Sequence, residues 1–133
     1  MDEIKDKSTA TTTAPPSTKT EKSATTLECE KLYPETTTEF KKIMGEEYAL
    51  FCKKQLNYGP ENISVGTKLA NPDEIKVSLT GIWFRVNDKI QRLKQLVLLG
   101  KQDHVGESIQ DSFIDLSVYG IIAQIVSRGK WGK

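Results

Sequence analysis

Glu107-Ser-Ile-Gln-Asp111-Ser-Phe-Ile-Asp115-Leu-Ser-Val-Tyr-Gly-Ile-Ile-Ala-Gln-Ile-Val126 carries two patterns in one segment. Its three acids, Glu107, Asp111 and Asp115, stand four residues apart. A helix turns 100° per residue, so such a set lines one face over two turns. From Leu116 onward the segment is almost wholly apolar, which predicts that the acids open a helix otherwise made for a core. Acids in that position need cations opposite them. The apolar stretch also runs nearly all round the helix. Two further helices do not cover such a surface, so a symmetric dimer or tetramer is expected to complete it.

The cations stand in the segment before it. A helix is expected from Thr80 or Gly81 to Leu99, led in by a short helical piece from Pro72 to Ser78. Ile82, Val86, Ile90, Leu93 and Val97 form its expected buried stripe, and Arg85, Asp88, Lys89 and Arg92 a charged one. Gly100 and Gly106 bracket the connection to the last helix. Upstream, Phe40, Ile43, Met44, Glu47, Tyr48, Phe51 and Cys52 fall at three- and four-residue spacing, predicting a helix from Glu39 to Gln55 behind the capping threonines 36–38. Glu46 and Glu47 either pair in solvent with Lys42, Lys53 and Lys54, or Glu47 turns inward between Ile43 and Phe51. Asn57-Tyr58-Gly59-Pro60 stops that helix, and residues 60–73 read as a loop. There Tyr58 and Asn62 either hold a base by stacking and hydrogen bonding or simply bridge two helices. The fold class expected is all-α: a small bundle of three main helices plus a short one, completed by oligomerisation.

Residues 1–38 are rich in Thr, Ser and Lys, with eight threonines between Thr9 and Thr26. So few apolar side chains cannot offset the entropy of ordering a backbone, and a disordered arm is expected there, with the folded domain over 39–133. A formal charge of +1 over 133 residues gives no bulk case for nucleic acid or an anionic membrane. No apolar run approaches the roughly 20 residues of a membrane span. The first residues lack the basic-then-apolar pattern of a secretion signal, so a cytoplasmic location is expected. Cys29 and Cys52 form no redox or zinc spacing, and His104 lies in a polar connection without a nucleophile pattern beside it.

The remaining chemistry is carboxylates and cations on helices. Converging carboxylates are hard oxygen donors suited to Mg²⁺ or Mn²⁺. On this reading Glu47, Glu107, Asp111 and Asp115 hold metal, Glu107 and Asp111 are catalytic, and Arg85, Lys89 and Arg92 grip a polyphosphate. Such a site orients a water for attack on phosphorus without a side-chain nucleophile. The alternative is that the acid and base stripes merely pair in a helical assembly protein.

Asn57-Tyr58-Gly59, Gly81-Ile-Trp-Phe-Arg85-Val-Asn-Asp88-Lys89-Ile-Gln-Arg92-Leu93 and Glu107 to Tyr119 together resemble the type-one nucleotide modification associated domain. That family is common in bacteriophage genomes and related to the all-α nucleoside triphosphate pyrophosphohydrolases, MazG and dimeric dUTPases among them. The resemblance runs from about Phe40 to Lys133. It implies an all-helical, oligomeric, Mg²⁺-dependent protein that handles a nucleotide, cleaving a dNTP or modified dNTP between its α and β phosphates. It also implies that Asp111 stands for the aspartate of the family's Glu-x-x-Asp motif, with Glu107 one position out of register. The Glu-Glu-x-x-Glu motif is not matched, because Leu50 stands where its last glutamate would be. A protein that binds or sequesters a nucleotide without cleaving it fits the same residues.

Overall fold

The computed structural model describes residues 21–133, and all regular structure among them is helical. The chain splits into two compact units between Thr38 and Glu39. In the first, α1 spans Ala24–Leu32. Ser23 caps it, its hydroxyl accepting from the Thr26 amide at 3.1 Å, and Lys22 pairs with Glu30 at 2.9 Å. The described part of the expected disordered arm is therefore helical, because a serine cap and an ion pair supply locally what apolar content does not. Residues 1–20 of that arm lie outside the described residues.

Helix α2 spans Pro34–Tyr58, longer at both ends than expected. Proline suits the first helical turn, where its missing N–H costs nothing. At the other end Gly59 turns left-handed (φ 69°) and Pro60 follows. One turn, α3, spans Glu61–Ser64 inside the expected loop, and it buries Ile63 and Ser64.

Helix α4 runs unbroken over Pro72–Leu93 and continues as a π-helical turn over Lys94–Leu98. Asn71 caps it, accepting from the Glu74 amide at 3.0 Å, while the Glu74 carboxylate accepts in return from the Ala70 amide at 2.6 Å. The expected break at Ser78–Gly81 does not occur. The Thr80 hydroxyl satisfies itself on the Lys76 carbonyl at 2.7 Å, and Gly81 lies where a Cβ would meet Val65 at 3.7 Å. The apolar stripe also differs from expectation. Ile82 is buried, but Ile90 and Val97 are exposed. Each four-residue step advances 40°, so a stripe stepping 82, 86, 90 rotates off the core.

Helix α5 spans Ile109–Ser127 and packs along α4. Ser108 caps it, accepting from the Asp111 amide at 3.1 Å. Glu107 thus precedes the helix, and the three acids do not share one helical face as expected. By length and hydropathy α5 is long and apolar enough to cross a membrane, where no such stretch was expected. It carries Asp111 and Asp115 and meets the core of the second unit through Ile122 and Val126. That core comprises Ile63, Ile82, Ile122, Val126 and Trp131.

Candidate functional site

Two sets of side chains grow out of the packing of α4 on α5. The first is a ladder of ion pairs. Lys89 reaches Asp115 at 2.9 Å and Glu107 at 3.6 Å. Arg92 lies 3.8 Å from Glu107 and 3.5 Å from Asp103. Its guanidinium also donates to the Ser112 hydroxyl at 2.8 Å, the Ser108 carbonyl at 3.2 Å and the Glu107 carbonyl. Cations at positions 85, 89 and 92 lie on the flank of α4 that faces α5, which is why these pairs form. The hydrogen bond to Asp115 is the main cause holding the Lys89 pKa above the ordinary 10.5; burial opposes it, and the charges of Asp115 and Glu107 add to it. Lys89 and Arg92, expected to grip phosphate, are spent on carboxylates and on the start of α5.

The second set lines a cavity of about 320 Å³. Lys54 and Tyr58 come from α2, Asn62 from α3, Arg85 from α4, Asp115 and Tyr119 from α5. Trp131 closes one side. Its indole N–H donates to the Pro60 carbonyl at 2.9 Å, and its ring meets Phe51 edge-on at 6.1 Å. Arg85 is held by two neighbours. One amine donates to the Asn62 carbonyl at 2.8 Å, and the guanidinium lies 5.8 Å from the centre of the Tyr119 ring. Lys54 stands 3.9 Å from Asp115 at the same cavity.

Of the residues expected from the sequence, Arg85, Tyr58, Asn62 and Asp115 therefore share one cavity. Glu107 joins the ion-pair ladder instead, and Asp111 is exposed in the first turn of α5. Glu47 does turn inward, at 8% exposure, but it lines a separate apolar pocket of about 210 Å³ with Met44, Tyr48 and Ile121. The four carboxylates expected to hold Mg²⁺ or Mn²⁺ do not converge. Among the described residues no three Asp, Glu, His or Cys side chains gather in a way that could hold a metal ion.

Sequence reasoning passed over Lys54, Gln55, Tyr119 and Trp131. Lys54 and Gln55 continue the inward face of α2 from Phe51 to Tyr58, a signal present in the spacing. Trp131 sits in a basic, glycine-flanked tail, and no periodicity could have marked it as core. Comparison of the chain with protein-family models, with curated proteins and with solved structures returns no match.

Proposed function

We propose that the chain binds a nucleotide in the cavity between α2 and α5. The observation that carries this reading is the joint lining by Arg85, Lys54, Tyr58 and Asn62. Two cations suit a phosphate, and aromatic walls with an amide suit a base. The resemblance to nucleotide-handling phage proteins supports the same ligand class, and a cytoplasmic, phage-type nucleotide metabolism is the setting it implies. Pairing between the acid and base stripes accounts for Lys89, Arg92 and Glu107. It pairs Lys54 only loosely, with Asp115 at 3.9 Å, and gives Arg85 no carboxylate partner among the described residues, which is why a purely structural role for the charges explains less.

Hydrolysis to monophosphate and pyrophosphate, with Mg²⁺ or Mn²⁺, is the second reading. It is favoured by Asp115, the carboxylate that lines this same cavity. Sequestration is preferred over it because Asp115 is the one carboxylate among the described residues lining the cavity and already accepts a hydrogen bond from Lys89 at 2.9 Å, while Asp111 and Glu47 do not line it. Calorimetric titration with a panel of nucleosides and nucleotides, run beside a pyrophosphate-release assay with Mg²⁺, tests both. Binding without turnover is expected, with affinity reduced about tenfold or more in Arg85→Ala, about 1.5–3 kcal/mol for a hydrogen bond to a charged group. If no member of the panel binds, the reading is wrong; if pyrophosphate accumulates and the Asp115→Asn change stops it, the hydrolase reading replaces it.

A further inference from the structure

The charges facing the cavity are few, and their sum limits what can enter. Lys54 and Arg85 are its cations, and Asp115 is its acid. Asp115 takes its charge partner from outside the cavity lining, through Lys89 at 2.9 Å, so Lys54 at 3.9 Å is the looser contact and is available to a ligand. Arg85 has one amine committed to the Asn62 carbonyl and the rest of its fork uncommitted by any other hydrogen bond. Two cations then remain for an incoming anion.

A phosphate monoester carries about −1.5 to −2 at neutral pH, which two cations balance. Each further phosphate adds negative charge with no cation left to meet it, in a cavity whose wall is largely Phe51, Ile63, Val118, Ile122 and Trp131. Unpaired charge beside such a wall is strongly disfavoured, the more so with the Asp115 carboxylate at hand.

Resting on the reading of this cavity as a nucleotide site, we infer that its ligand is a nucleoside monophosphate and that Asp115 excludes longer phosphate chains. Arg85 and Lys54 hold the single phosphate; Tyr58 and Trp131 flank the base. Asp115 acts as a specificity-determining residue because it is the one carboxylate among the described residues that line the cavity.

The full chain is titrated calorimetrically with the nucleoside, monophosphate, diphosphate and triphosphate of each common base, once in EDTA and once with Mg²⁺. The monophosphate of the preferred base is expected to bind at least tenfold tighter than its triphosphate in EDTA, and tighter than the bare nucleoside. Lys54→Met is expected to narrow the gap between monophosphate and nucleoside without closing it, because Arg85 still meets the phosphate. Asp115→Asn, checked for intact helicity and thermal stability, is expected to narrow the gap between monophosphate and triphosphate. Asp115→Glu, which keeps the charge, is expected to preserve the gap and serves where the asparagine variant does not fold. A triphosphate that binds as tightly as the monophosphate, with or without Mg²⁺, overturns the inference but leaves the nucleotide reading standing. A gap unchanged in a folded Asp115→Asn overturns the role of Asp115. Failure of every nucleotide and nucleoside to bind overturns both readings together.

Discussion

Lys89 divides one ammonium between Asp115 and Glu107, and the strength of that arrangement has a pH signature. Its pKa is raised in the folded chain, so the folded state holds the proton more tightly than the unfolded one. The associated stability is fully present below the unfolded value of 10.5 and disappears as pH climbs through the higher folded value. Lys89→Met is expected to cost about 1–2 kcal/mol at neutral pH, a charge-assisted hydrogen bond discounted for partial exposure. Urea unfolding of the two proteins at rising pH checks it: the difference should hold steady to about pH 10 and then shrink. A difference that grows with alkalinity would contradict the assignment. The serines show what was hard to read at this scale. Ser78 and Ser112 are fully buried, yet a serine in a helix gives no sign of facing inward. Their hydroxyls are satisfied by groups distant in sequence, the Ile63 carbonyl at 2.7 Å and the Arg92 guanidinium at 2.8 Å.

Among the elements, the start of α5 depends on a side chain from α4. Arg92 holds Ser108, Ser112 and Glu107 together, and only a planar fork reaches acceptors in that spread. Arg92→Lys keeps the charge and loses the fork. Hydrogen exchange at the amides of Asp111 to Phe113 is expected to speed up roughly tenfold, equal to about 1.4 kcal/mol of easier local opening. Unchanged exchange there would show that the Ser108 cap alone fixes the helix. The three main helices, their order and the glycines between them were legible, because spacing and caps are local signals. Two boundaries were not. The break expected before Gly81 failed since neighbouring turns of α4 supplied every backbone partner. Glu107 fell outside α5 because Ser108, one residue on, is the stronger cap.

At the scale of the molecule, apolar surface remains in excess. Only 17% of the most apolar window of α5 is buried, and Met44 and Tyr48 on α2 stay exposed beside Ile121 at the pocket that holds Glu47. Such a surface on one chain favours self-association, and the dimer or tetramer expected from the sequence is open to direct test. Light scattering at micromolar concentration is expected to give at least twice the chain mass, and Met44→Glu to return the monomer. A wild-type monomer would contradict it. The candidate site was legible only in part. Arg85, Tyr58, Asn62 and Asp115 were chosen on chemistry and do meet at one cavity. The wall formed by Trp131 was not, since its place is set by the Pro60 carbonyl seventy-one positions away.

The two tryptophans live in contrasting surroundings: Trp131 is 7% exposed against the cavity, and Trp83 is 57% exposed on α4. Under ultraviolet excitation the sheltered indole should glow at shorter wavelength and the wetted one at longer. A visitor to the cavity would dim only the former, and iodide in the buffer only the latter. The chain thus carries its own optical gauge of occupancy, and Trp83→Phe would leave it with a single clean channel.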